Sequence, residues 1–343
     1  MDPDHTQPGR RVSGTARRAG FSPKIGRNVM TTVERPPATT FLSLEITGKC
    51  QLECVHCCTD SGPSGTHGTM TTEDWKTVID QAADLGVRTV QFIGGEPTLY
   101  PGLAELIDHA VARALGVEVF SNLVHVSDRM WAAFQQPGVT LATSYYSDDP
   151  EQHAAITRRP THARTRENIE TAVSLGIPIR AGVVDVNDGQ RVEQAGAQLV
   201  SLGIHHLGYD RVRAIGRAAA DGQGQADQLC GQCGDGKALI KPDGTVTPCT
   251  MARWVPVGNV QTNPLGEVLA AMPAVRQSLV EQGMPSGACS PTAGTHCGPQ
   301  EDACSPQIRA ANDCPPQGQN CWPHNRATYD CPPQGQDCWP HNR

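Results

Sequence analysis

At 343 residues, with 35 glycines and 27 prolines, the chain has the length for one large α/β body with an irregular appendage. A formal charge of −7 argues against nucleic acid or an anionic membrane as the main partner, since both need a basic face. There is no apolar run of about 18 residues and no secretory signal in MDPDHTQPGRRVSGTARRAG, so a cytoplasmic chain with no membrane partner is expected.

The first 38 residues read as an N-terminal arm, and Met30 offers an alternative start to Met1. Strand-like segments then recur at 41–46, 88–93, 117–121, 140–146, 179–185 and 204–210, alternating with helical periodicity. The clearest helix covers about 72–85. Thr71 and Asp74 suit a capping box there, and Trp75, Val78, Ile79 and Ala82 share one face. Glycines at 86, 116, 176 and 203, with a looser case at Gly138, mark places where a helix turns back into a strand. Six βα-linked strands predict a parallel sheet built as a partial (β/α)6 TIM-like barrel over residues 39–215, its active face at the strands' C-terminal ends.

Residues 216–288 are expected to form a small cysteine-rich extension. It opens with a polar linker, and KALIKPDGTVTPC (237–249) reads as a β-hairpin turning at Pro242-Asp243-Gly244. A short helix is expected over 264–280. The tail, 289–343, ends in two near-identical copies, DCPPQGQNCWPHNR and DCPPQGQDCWPHNR.

Fourteen cysteines in a reducing compartment read as metal ligands or redox groups rather than disulfides. Cys50, Cys54 and Cys57 form a Cys-x3-Cys-x2-Cys triplet directly after the first strand. Three thiolates hold three irons of a [4Fe-4S] cluster and leave the fourth iron open, whereas a zinc site usually wants a fourth ligand.

This triplet, together with Gly94-Gly95-Glu96-Pro97 after the second strand, resembles the radical S-adenosylmethionine superfamily. The resemblance implies that S-adenosyl-L-methionine chelates the open iron through its amino and carboxylate groups. Backbone at Gly94 and Gly95 would approach the ligand, with Glu96 adding charge. It also implies contacts from Ser121-Asn122 and Ser144 to the methionyl carboxylate or ribose, and from Arg158 or Arg159 to the carboxylate. Cys58 stands where the family often has an aromatic residue. It is expected to be a small packed neighbour rather than a ligand.

Cys233, Gly244 and Cys249, with Cys230 adding a Cys-x2-Cys pair, resemble the opening of a SPASM extension. That implies at least one auxiliary [4Fe-4S] cluster. Further ligands are expected among Cys289, Cys297 and Cys304, although the tail's regular Cys-x-Pro spacing, continued at Cys314, Cys321, Cys331 and Cys338, departs from the family pattern. A thiol-redox or metal-capturing tail is the rival reading.

The resemblance implies a 5′-deoxyadenosyl radical that abstracts hydrogen from a substrate, fed by an electron donor such as flavodoxin or ferredoxin. A ribosomally made peptide is the expected substrate, altered by crosslinking, thioether formation, epimerisation or dehydrogenation, with a separate leader-peptide-binding protein as a further partner. The alternatives are oxidation or rearrangement of a small molecule such as a sugar, and a non-catalytic iron-sulfur carrier.

Overall fold

The computed structural model describes residues 39–219 and 224–286. The N-terminal arm, the tail and its cysteines Cys289, Cys297 and Cys304 lie outside the described residues.

The six expected strands are present as β1 (Phe41–Thr47), β2 (Thr89–Gly94), β3 (Gly116–Phe120), β4 (Val139–Tyr145), β5 (Ile179–Asp185) and β6 (His206–Arg211). Each pairs in parallel with the next. Helices α1 (Thr72–Asp84), α2 (Leu103–Ala112), α3 (Asp128–Phe134), α4 (Pro150–Thr157), α5 (His162–Ser174) and α6 (Val192–Ser201) fill the crossovers. The sheet is open, with β6 at one edge.

The sequence dictates which strand face meets the helices. In β1, Leu42, Leu44 and Ile46 join the main apolar core, while the alternate residues Ser43 and Glu45 are buried on the sheet's other face. Below the strand ends that face is polar and fully connected. Ser43 donates to Gln91 at 2.9 Å, Gln91 donates to Glu118 at 2.6 Å, and Arg180 grips Glu118 with two bonds of 2.7 Å. Such a network fixes register because a slip of one residue would leave buried polar groups unpaired.

Helix α1 forms as expected. Thr71 accepts from the Asp74 backbone at 3.2 Å and Asp74 Oδ2 accepts from the Thr71 backbone at 2.8 Å, and Trp75, Val78, Ile79 and Ala82 are its buried residues. Thr71→Ala is expected to cost about 1 kcal/mol, measured as a lower urea midpoint with an unchanged slope.

Three expectations change. Gly86, Gly138, Gly176 and Gly203 take the left-handed conformation, but after α2 that position belongs to Ala114 (φ 58°) and Gly116 instead begins β3. The chain turns two residues earlier there, and Gly116 abuts Thr89, whose Oγ1 would lie 3.3 Å from an added Cβ. The helix expected over 264–280 is two, α7 (Leu265–Ala270) and α8 (Met272–Glu281), with a proline in the first turn of α8. The hairpin exists, as β7 (Lys237–Ile240) and β8 (Thr245–Thr247), but it is no separate appendage. β7 pairs in parallel with β1 and extends the barrel sheet through β8 to β9 (Gly258–Asn259). All four residues of β7 are buried, which a place beside the central strand requires.

Candidate functional site

The segment after β1 has no regular structure of its own and is held by its neighbours. Glu53 and Val55 donate their backbone N–H groups to Thr157 and Ile156 at the end of α4, at 3.2 and 3.0 Å. Cys50 donates its own to Gly62 at 3.0 Å. The loop so fixed presents Cys50, Cys54 and Cys57 to one cavity of about 180 Å³. Burial pushes the Cys50 and Cys54 thiols up to about 12, so iron binding there has to displace their protons.

Gly94 and Gly95 line the same cavity. The Gly95 backbone donates to Thr47 and that of Glu96 to Lys49, both at 2.8 Å. A Cβ at Gly95 would fall 2.4 Å from the Lys49 carbonyl oxygen and 3.0 Å from the Cys50 Cβ. The glycine therefore allows the end of β2 to press against the cysteine loop itself, a reason distinct from ligand approach. Pro97 is buried at the start of a short 3-10 turn that Glu96 caps.

Glu96 is fully buried and is not a lining residue. Its Oε1 accepts from Thr98 N (3.0 Å), Thr98 Oγ1 (2.7 Å) and Ser121 Oγ (2.8 Å), and its Oε2 from Asn122 N (2.8 Å). Burial raises its carboxyl pKa while these four donors oppose the shift. The carboxylate thus ties the β2 loop to the β3 loop. Its charge reaches the site indirectly, as one cause of the raised Cys50 thiol.

Asn122 and Ser144 line the cavity from the ends of β3 and β4. Asn122 is held by Gln51, whose Nε2 donates to its Oδ1 at 3.1 Å. Arg158 stands apart, exposed as the left-handed C-cap of α4, and Arg159 pairs with exposed Glu53 at 2.6 Å.

The arginine that grips the backbone of the cysteine loop is Arg217. Its guanidinium donates to the Cys54 and Ser61 carbonyls, both at 2.7 Å, and to Asp60 at 3.1 Å, and its backbone N–H donates to Cys57 at 2.9 Å. Gly216 must be glycine for this approach: φ is +61° and a Cβ would lie 2.4 Å from the Cys57 carbonyl oxygen. Arg217→Met is expected to loosen the loop, with iron lost to a chelator about tenfold faster than from the parent, the equivalent of one strong hydrogen bond. Iron release followed by absorbance checks it.

A second cation, Arg253, crosses from beyond β8 to pair with buried Glu45 of β1, Nη2 to Oε1 at 3.0 Å. The pair anchors the post-hairpin segment against the barrel interior. The aromatic side chain on the cysteine loop is His56, not position 58. It packs edge-on against Tyr146 with centroids 5.0 Å apart, and burial holds its imidazole down at about 4, hence neutral. Cys58 packs with Ile215 and Cys249 in a second apolar cluster.

A further part of the cavity wall was not foreseen. It comes from the end of β6, as Asp210 and Arg213, and from the residues after Cys249, as Thr250 and Met251. Asp210 and Arg213 form an ion pair of 3.1 Å between almost wholly buried side chains. Burial outweighs the arginine and pushes the Asp210 carboxyl up to about 7. The available signal was positional: DRVR ends the last barrel strand, at the face where such sheets place function.

Next to this wall, Cys233 is hydrogen-bonded to Cys249, sulfurs 2.7 Å apart, and to Cys230. None of the seven described cysteines is in a disulfide. Among the described residues, no three His, Cys, Asp or Glu side chains converge tightly enough for a single metal ion.

Residues 44–197 match the family model of the radical SAM superfamily. The chain carries a radical SAM domain over that span. Residues 230–297 match SPASM, an iron-sulfur cluster-binding domain, so this radical SAM protein is of the SPASM type. It is similar to the PqqA peptide cyclase of Xanthomonas euvesicatoria pv. vesicatoria (strain 85-10), 42% identical over 89 residues, which are 26% of this chain and 23% of the relative. To that of Streptomyces rochei it is 27% identical over 170 residues, 49% of this chain and 46% of the relative. The chain spans less than half the length of these relatives. In fold it resembles Streptococcus suis SuiB bound to precursor peptide SuiA (TM-score 0.61, 14% identity, 78% of this chain and 76% of that one). It also resembles anSMEcpe with bound AdoMet (TM-score 0.59, 13% identity, 79% and 92%). Among the described residues, no helix is long and apolar enough to cross a membrane.

Proposed function

We propose that this radical SAM protein cleaves S-adenosylmethionine reductively and uses the resulting radical to modify a ribosomally made peptide. The observation that carries the reading is one cavity lined both by Cys50, Cys54 and Cys57 and by Thr250 and Met251, directly after Cys249. A substrate seated there lies between the cofactor loop and the auxiliary thiols. The relatives' names, PqqA peptide cyclase, support a peptide as that substrate.

Cys50, Cys54 and Cys57 would hold a [4Fe-4S] cluster, and Cys230, Cys233 and Cys249 an auxiliary one completed from the tail. When bound, the first cluster with S-adenosylmethionine supplies an electron and a carbon radical able to take hydrogen from an unactivated C–H bond. The chain's own part is positional. Gly94, Gly95, Asn122 and Ser144 form the wall for the cofactor's methionyl end, Glu96 holds that wall and Arg217 the cysteine loop, and the apolar side chains Leu52, Ile93 and Val184 keep water from the radical. A flavodoxin or ferredoxin fits as electron donor, and a separate leader-binding protein as substrate escort.

The test is anaerobic incubation of reconstituted, reduced protein with S-adenosylmethionine and candidate precursor peptides, in parallel with candidate sugars. A change of peptide mass with 5′-deoxyadenosine release is the expected result. Turnover of a sugar with an untouched peptide would overturn the substrate assignment.

A further inference from the structure

Seven buried side-chain polar atoms of the described residues have no hydrogen-bond partner, and three belong to residues of the cavity wall: His56 Nδ1, Arg213 Nε and Thr250 Oγ1. They come from three separate parts of the chain, the cysteine loop, the end of β6 and the segment after Cys249. An orphaned buried polar group costs about 1–3 kcal/mol, and random packing has no reason to gather such costs at one cavity.

Arg213 is 7% exposed and Thr250 2%. The Arg213 guanidinium is pinned at both ends, Nη1 to the Gln228 carbonyl at 2.9 Å and Nη2 to Asp210 at 3.1 Å, which leaves Nε as its nitrogen with no partner. A buried ion pair of this kind is weak evidence for stability, because desolvation offsets its attraction. Its place on a cavity wall makes binding the better reason for it. Beside it Thr250 offers a hydroxyl that donates or accepts after a turn about χ1, and Val212, Ile215 and Met251 supply apolar surface between the polar points.

We infer that Arg213 and Thr250 form the substrate-gripping wall, binding a backbone amide of the peptide: its carbonyl accepts from Arg213 Nε–H and Thr250 engages the neighbouring peptide group. This rests on the peptide reading above and adds the residues that hold the substrate. Backbone recognition fixes the strand of the peptide while leaving its side chain free to face the cofactor wall. Both are positioning residues, since neither needs to touch the atom that reacts.

Thr250→Val is nearly isosteric and removes an unsatisfied hydroxyl, so its melting temperature should equal or exceed the parent's. Its KM for the precursor peptide is expected to rise about tenfold, the worth of one hydrogen bond, and Thr250→Ser should restore the parent value. Arg213→Lys keeps the charge beside Asp210 but lacks the fixed Nε–H. It should raise peptide KM and release more 5′-deoxyadenosine per modified peptide, while the change that S-adenosylmethionine induces in the reduced cluster's EPR spectrum persists. Parent-like KM in both Thr250→Val and Arg213→Lys would overturn the assignment. So would loss of the EPR response, which would give these residues to the cofactor instead. A parent protein that cleaves S-adenosylmethionine but leaves the peptide unaltered would refute the peptide reading itself, visible before any variant is made.

Discussion

Cys54→Ala is expected to lose about four irons per chain after anaerobic reconstitution and to drop 5′-deoxyadenosine formation by more than about 100-fold. Two thiolates cannot retain a cluster that needs three, and the loop offers no substitute. Cys58, the nearest spare thiol in sequence, also borders the cavity, but it lies outside the Cys-x3-Cys-x2-Cys spacing and packs with the apolar cluster of Ile215 and Cys249. Cys58→Ala should therefore keep the parent's iron content, which separates a ligand from a neighbour by one measurement. The fold should survive both changes, because the loop's backbone is held through Gly62, Ile156 and Thr157 and not through its sulfurs. Parent-level 5′-deoxyadenosine from Cys54→Ala would end the radical assignment.

The features legible in the sequence were local ones. The six strands announced themselves by apolar runs separated by helical periodicity, and the triplet because its three thiols fall within eight positions of one loop. What stayed hidden depends on distant pairing. Arg217 is 163 residues from Cys54, to whose carbonyl it donates, and it sits in a glycine-bearing stretch that reads as a linker. Arg158 was drawn from the resemblance, yet it is an exposed left-handed cap of α4 and is not among the residues lining the cavity. The strand KALI has four residues, too few to tell a parallel strand beside β1 from half of an isolated hairpin. Asp210 and Arg213 carried only the weak signal of ending the last barrel strand. Glycines 94 and 95 have a further reason the sequence did not show: a Cβ at Gly94 would lie 2.3 Å from the Thr47 carbonyl oxygen of β1, and one at Gly95 2.4 Å from that of Lys49 beside Cys50.

Glu96→Gln has the next largest expected effect, and it decides how that residue works. The carboxylate accepts from four donors. A glutamine amide presents one oxygen and one NH2 group, so whichever way it is placed a donor faces a donor. With its nitrogen toward Asn122, the Asn122 N–H loses its acceptor across a gap of 2.8 Å. The opposite placement strands Thr98 and Ser121. The smaller loss is still about 2–3 kcal/mol, because a buried donor goes unpaired and a charge-assisted bond is gone. The consequence passes along the chain. Asn122 shifts from the cavity, its bond with Gln51 weakens, and the wall that meets the cofactor loses its shape. The variant should melt several degrees lower and bind S-adenosylmethionine about tenfold more weakly, while retaining the iron held by Cys50, Cys54 and Cys57. A residue that served only by offering charge to the cofactor's ammonium would give a different pair of results, weaker binding with an unchanged melting temperature. Differential scanning fluorimetry under nitrogen, run beside equilibrium binding of the cofactor to the same sample, tells the clamp from the counter-ion.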